Sequence, residues 1–322
     1  MQRLCSSAFQ RVLTGYRPKT RATLNTHFTT FVQFCTWLEE PLENVTECVV
    51  IAFIEYLVQN SLKHSSIVNY ISSLKTNFKM YGLSTAPFDH EWVRLALRSI
   101  AINVPVPYRV KGVFSIELLG QLVQMCDTLQ HGFVYKALFL TATFGFLRLS
   151  NLVPSSIMSY DMATHLARGD YLPVASHATL VLKWSKTLQQ QGSYATVQLP
   201  CLGTSQLCPM KAIEIMAKLL PAGQNDPLFC IPQGTRLLPL TQSKVRKVLQ
   251  NIVIRLDLCP SAFSFHTFRR TGASLAFNNN VPLEAIKHQG TWSSDSVWTY
   301  IHQDHALQNQ VSQTFKQLLG SY

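Results

Sequence analysis

Apolar residues recur at three- and four-residue steps over most of the chain, the period of helices that bury one face. Leu24, Phe28, Phe31, Phe34, Cys35 and Leu38 predict a long amphipathic helix from Arg21 onward. Thr46 is placed to cap a second helix, through Val50, Phe53, Ile54 and Leu57. Ser65 or Ser66 would cap a third, through Ile67, Tyr70, Ile71, Leu74 and Phe78, with Gly82 ending it and Asp89 opening a fourth. Residues 101–113 break the period with two prolines and a glycine and read as an extended linker. Helices resume from Ser115 and from about His131 to Phe146. Thr179–Trp184 and Tyr194–Leu199 switch to β-branched and aromatic residues around a polar segment, the mark of a β-hairpin. Helices are again expected over Pro209–Leu220 and Thr241–Leu256. A last stripe, Leu307, Val311, Phe315, Leu318 and Leu319, predicts a tail helix over about 304–320. The fold class is mainly α with a small β-hairpin or sheet (α+β): a helical domain over 1–100, a linker over 101–113 and a larger domain over 114–322.

Composition narrows the partner. The 322 residues carry 28 Lys and Arg against 17 Asp and Glu, a net charge of +11 that favours a polyanion, nucleic acid being the commonest. Lys75 and Lys79 lie four apart on the third helix, and Arg94 and Arg98 repeat that spacing on the fourth. Each pair reads either as an ordinary solvated face or as a set of phosphate contacts, and two such faces on neighbouring helices favour phosphate. Arg109 and Lys111 in the linker, and Lys244 and Lys247 (with Arg246 between them), extend the candidate DNA-binding set. The longest apolar run, Phe133–Leu149, is interrupted by Lys136 and Arg148, so no membrane span is expected, and the N-terminus lacks the form of a secretory signal. None of the eight cysteines forms a Cys-x-x-Cys pair, which suits reduced thiols in an intracellular protein.

The chemistry concentrates near the C-terminus. His266 and Arg269 stand at i and i+3, on one helix face, with Arg270 beside them. Ser264 reads as the N-cap, which would set this pair at the positive end of the helix dipole. Gly290-Thr291-Trp292 reads as a turn, and Tyr300 follows on a short helix. A phenol beside an imidazole and a guanidinium fork can attack a phosphodiester.

His266-x-x-Arg269, Gly290-x-Trp292 and Tyr300-Ile301-His302 together resemble the C-terminal signature of the tyrosine recombinases, the phage-integrase-like family. Gly145-Phe146-Leu147-Arg148-Leu149-Ser150-Asn151-Leu152 is similar to that family's first arginine box, and Trp184-Ser185-Lys186-Thr187 to its hairpin lysine. The resemblance implies a helical core-binding domain followed by a catalytic domain, clamping double-stranded DNA through a basic linker. It assigns Tyr300 as nucleophile and Arg148 and Arg269 as the phosphate clamp. His266 becomes the proton-transfer or phosphate-orienting group, and Lys186 the general acid. Trp292, where many relatives have histidine, is assigned as a hydrogen-bond donor and buttress. The product would be a 3′-phosphotyrosine and a free 5′-hydroxyl, made without metal or nucleotide cofactor. The resemblance also implies a homo-oligomer, a tetramer on DNA, joined through the tail helix, although docking of that helix on its own domain stays open.

Lys183 rivals Lys186, and the family pattern favours Lys186. Two features depart from that pattern. Asn151 stands where an acidic residue is usual, and Trp292 to Tyr300 is 300 − 292 = 8 steps, about one short. The sequence looks more like eukaryotic mobile-element recombinases of Crypton or DIRS type, which would place it in the nucleus, or in the cytoplasm if its source is bacterial or phage. Two alternatives remain beside strand exchange: a type IB topoisomerase-like enzyme, and a domesticated DNA-binding protein without turnover, to which Asn151 points.

Overall fold

The computed structural model describes residues 11, 15–103, 111–183 and 194–302. The chain divides into two compact units, Met1–Tyr108 and Arg109–Tyr322. Arg109, Trp184, Lys186 and the tail stripe lie outside the described residues.

The first unit is helical: α1 (Pro18–Trp37), α2 (Glu47–Gln59), α3 (His64–Met80), the short α4 (Ala86–Asp89) and α5 (Glu91–Asn103). Its core is aromatic. Phe31 meets Phe53 edge-on at 4.9 Å, and Phe78 meets Phe88 at 4.8 Å, so the stripes expected on three helices converge. Gly82 ends α3 with φ +71°, a left-handed backbone that costs glycine little. The expected helix starts need correction. Thr46 precedes α2 without a side-chain cap bond, and α3 begins at His64 after Lys63. Asp89 closes α4, and its carboxylate pairs with Lys75 instead of opening a helix.

The second unit is built around α7 (Gly132–Phe144), which follows α6 (Ile116–Cys126). Val134, Ala137, Leu138, Phe139, Leu140 and Ala142 are all fully buried, so α7 is apolar over most of its circumference because it runs through the core, with Lys136 pairing with Asp127 at its margin. Among the described residues no helix is long and apolar enough to cross a membrane. Ser115 caps α6 as expected, its hydroxyl accepting from Leu118 N–H. After α8 (Leu149–Leu152) comes an antiparallel sheet of β1 (Tyr171–Pro173), β2 (His177–Leu182) and β3 (Ala195–Pro200), in the order β1-β2-β3. Leu180 pairs with Val197 and Ala178 with Leu199, turning the apolar set of both strands onto the core. Then follow α9 (Pro209–Leu219), the hairpin of β4 (Cys230–Gln233) and β5 (Arg236–Pro239), α10 (Gln242–Arg255), α11 (His266–Asn278), α12 (Leu283–Gln289) and a 3-10 turn over Asp295–Thr299. The sequence pattern hid the β4–β5 hairpin because Pro232 and Pro239 demote both runs as strands.

Candidate active site

Helix α11 crosses α7 at Gly272. A Cβ there would stand 2.0 Å from the Thr143 carbonyl oxygen and 2.6 Å from the Phe146 ring, so only glycine permits the approach. That approach sets Arg269, one turn earlier on α11, against the loop leaving α7. Phe146 adopts φ 49° in that loop, a left-handed conformation costing a non-glycine residue on the order of 1 kcal/mol. Its carbonyl accepts from Arg269 Nη1, and the Gly290 carbonyl accepts from Arg269 Nη2 at 2.8 Å.

Arg269 is fully buried, and its guanidinium lies 3.7 Å from the centre of the Trp292 ring. Among the described residues no carboxylate pairs with Arg148, Arg269 or Arg270. A buried cation without an anion is unfavourable, and burial first, then the Arg148 charge, lowers the Arg269 pKa. Nearby donors are also unspent. Arg148 Nη1, Arg269 Nε, Arg270 Nε and the Trp292 indole N–H are buried without a hydrogen-bond partner among the described residues. Such a set is suited to oxygens of an anion.

Tyr300 reaches this cluster from its own chain. It ends the 3-10 turn, its carbonyl accepts from Ser274 Oγ on α11 at 3.3 Å, and Ser274 Oγ in turn accepts from His302 N–H at 2.8 Å. Lys287 Nζ bridges Glu284 and Asp295, each at 3.0 Å, tying α12 to the turn. The Tyr300 ring therefore stands beside Arg269, whose guanidinium carbon is 5.1 Å from the centre of the phenol ring. The Tyr300 ring stands 5.3 Å from Trp292 and 6.1 Å from His266. Trp292 packs so closely on Gly290 that a Cβ there would fall 1.8 Å from its ring.

His266 opens α11, but Ser264 is not its cap. The Ser264 carbonyl accepts from Thr267 N–H at 2.8 Å, and Ser264 N–H donates to the Thr267 hydroxyl at 3.1 Å. Phe265 is already helical, so the first turn closes on backbone and Thr267. The His266 ring, although the residue is exposed, has its pKa lowered by the surrounding protein and then by Arg269, Arg148, Arg270 and Arg246. A lowered imidazole pKa means stability is complete above its ordinary value of about 6.5 and is lost as pH falls through the lower folded value. The melting temperature should therefore fall more steeply on acidification below pH ~6.5 in wild type than in His266→Gln, as thermal scans across pH would read.

Asn151 retains an orienting role without a charge. Its side-chain oxygen accepts from Arg148 N–H at 3.0 Å, fixing the backbone where α7 gives way to α8. Lys183 is already engaged, its ammonium 2.8 Å from Asp170 and donating to the Met162 carbonyl at 3.0 Å. Lys183→Met would leave the buried Asp170 carboxylate uncompensated, an expected loss of about 2–4 kcal/mol in urea unfolding.

The basic faces of the first unit prove partly neutralised. Lys75 is bound to Asp89, and Arg94 to Glu91 at 2.6 Å; Lys79 and Arg98 are exposed, without an ion-pair partner among the described residues. In the second unit Lys244 and Lys247 are exposed on α10, with Arg246 between them. Arg270 is buried and donates to the Gly112 carbonyl at 2.7 Å. Sequence reasoning missed Ser274 and Gln289. Gln289 donates to the carbonyls of Phe144 at 3.0 Å and Gln198 at 2.6 Å, joining β3 to the arginine loop. Such carbonyl clamps leave no periodic signal.

No family model and no curated protein matches the chain. Solved structures do. The XerH site-specific recombinase bound to palindromic difH substrate in a post-cleavage complex aligns with TM-score 0.65 at 18% identity, over 97% of this chain and 85% of that one. The Tn1549 transposon integrase in complex with transposon right end DNA aligns with TM-score 0.61 at 13% identity, over 97% and 98%. A lambda integrase dimer bound to a COC′ core site aligns with TM-score 0.60 at 15% identity, over 92% and 77%. With the arginine, tryptophan and tyrosine clustered on that framework, the chain has the fold of the tyrosine recombinases.

Proposed function

We propose that this chain is a DNA strand-exchange enzyme that cleaves and rejoins duplex DNA through a 3′-phosphotyrosine. The observation that carries this reading is the Tyr300 ring 5.1 Å from the guanidinium of a fully buried Arg269 that meets no carboxylate among the described residues. A phosphodiester repels nucleophiles by its own charge, so its non-bridging oxygens must be neutralised before a phenol can attack. Arg148 and Arg269 take that role, and the Trp292 N–H supplies a further donor. Tyr300 Oη bonds to phosphorus while the P–O5′ bond breaks. The phenol proton leaves by way of the neutral His266 imidazole, and the departing 5′ oxygen takes a proton from Lys186. The ester is exchanged, not spent, so an incoming 5′-hydroxyl reverses the step. The named complexes of XerH and the two integrases with DNA support double-stranded DNA as the partner. A homo-oligomer on DNA and a nuclear or cytoplasmic setting follow from the same reading.

A nicked duplex that loses its 5′-hydroxyl fragment on cleavage tests the reading. Wild type should form an adduct that survives denaturation, and Tyr300→Phe should form none while still binding DNA. Equal adduct from both proteins would remove Tyr300 as the nucleophile. Salt-sensitive binding with no adduct from wild type would instead favour a DNA-binding protein without turnover.

A further inference from the structure

Tyr300 lines a pocket of 310 Å³ together with Lys111, His266, Arg270 and Thr299, and no acidic residue among the described residues lines it. Lys111 is the unexpected member. From the sequence it belongs to an interdomain linker, whereas here it lies in the compact second unit. The strap that carries it is fixed at three points. Gly112 N–H donates to the Ala262 carbonyl at 3.0 Å, the Gly112 carbonyl accepts from Arg270 at 2.7 Å, and Phe114 N–H donates to the Thr271 hydroxyl at 2.9 Å. Phe263 lies so near Gly112 that a Cβ would come within 2.7 Å of its ring, and it stacks on Phe114 at 5.1 Å. Two of these anchors, Arg270 and Thr271, sit on α11 immediately after Arg269. The same helix therefore holds both the phosphate-facing guanidinium and the backbone beside Lys111. Lys111 is exposed and has no ion-pair partner among the described residues, so its charge is available to the pocket.

We infer that Lys111 is a further active-site cation, contacting the scissile phosphate or the one beside it while Tyr300 attacks. This rests on the strand-exchange reading and adds a group which that reading does not use. Its contribution is charge, not a proton: the ammonium lowers the barrier by meeting negative charge that builds on phosphate oxygens. An exposed lysine can be replaced without disturbing the strap, whose anchors are all made by other residues.

The test uses the full chain and a pool of nicked duplexes of randomised sequence, with adducts recovered after denaturation. Sequences recovered with wild type then serve for single-turnover rates at saturating DNA. Lys111→Met should slow adduct formation roughly 10- to 100-fold with little change in affinity, and Lys111→Arg should restore most of the rate. A 5′-bridging phosphorothiolate, whose thiolate leaves without a proton, should not rescue Lys111→Met, because charge on the non-bridging oxygens is still unmet. A wild-type rate for Lys111→Met, a loss confined to affinity, or full rescue by the phosphorothiolate would each overturn the assignment. Absence of adduct from wild type would overturn strand exchange as well, which separates the two failures.

Discussion

Arg269→Lys should lower the single-turnover rate of adduct formation by roughly 10²–10³, although the charge is kept. The reason lies in the fork. Arginine meets two carbonyls at once, Phe146 through Nη1 and Gly290 through Nη2, while its flat face rests on Trp292 at 3.7 Å. A lysine ammonium is a single hydrated point, and it cannot span both carbonyls and still present a donor to a phosphate. One buried carbonyl then goes unmet, an expected cost of about 1–3 kcal/mol in unfolding experiments. Affinity for duplex DNA should change little, since binding sums over many phosphates. Adduct formation at the wild-type rate in Arg269→Lys would show that no bidentate clamp is needed.

Gly272→Ala should be nearly as damaging from a position that touches no substrate. Its methyl would sit 2.0 Å from the Thr143 oxygen, which is helix backbone and cannot rotate away. Helix α11 must shift off α7, with overpacking expected to cost about 1–3 kcal/mol. The shift also carries Arg269 away from the Phe146 carbonyl and Ser274 away from the Tyr300 backbone. A misplacement near 1 Å in a catalytic array can cost about 10²-fold in rate. Calorimetry and adduct assays on the same preparation should show both losses together. A stable, active Gly272→Ala protein would mean the contact between α7 and α11 is softer than this close approach implies.

Much of the architecture was legible because helices announce themselves locally. The three- and four-residue apolar steps, the Ser115 cap and the alternation of β2 and β3 depend on near neighbours, and each reappears in the folded chain. The pairing of His266 with Arg269 was likewise a matter of helical period. Local signals failed where distant groups took over a terminus. Thr267 and the Ser264 carbonyl displaced the cap expected of the Ser264 side chain. Prolines masked β4 and β5, whose pairing supplies what the propensities of those residues do not.

The residue types and their order along the chain determined which reactive groups this protein carries: a phenol, an imidazole and several guanidinium groups, on a strongly basic polypeptide. Only the tertiary structure decided which cations remain bare. Lys75, Arg94 and Lys183 look like Lys111 or Arg269 in a list of charges, yet each is neutralised by a carboxylate. Arg269 and Lys111 meet none among the described residues. Charge neutralisation depends on which groups fall within a few ångströms after folding, and in a chain whose Phe114 bonds to Thr271 that separation is set by packing, not by sequence distance.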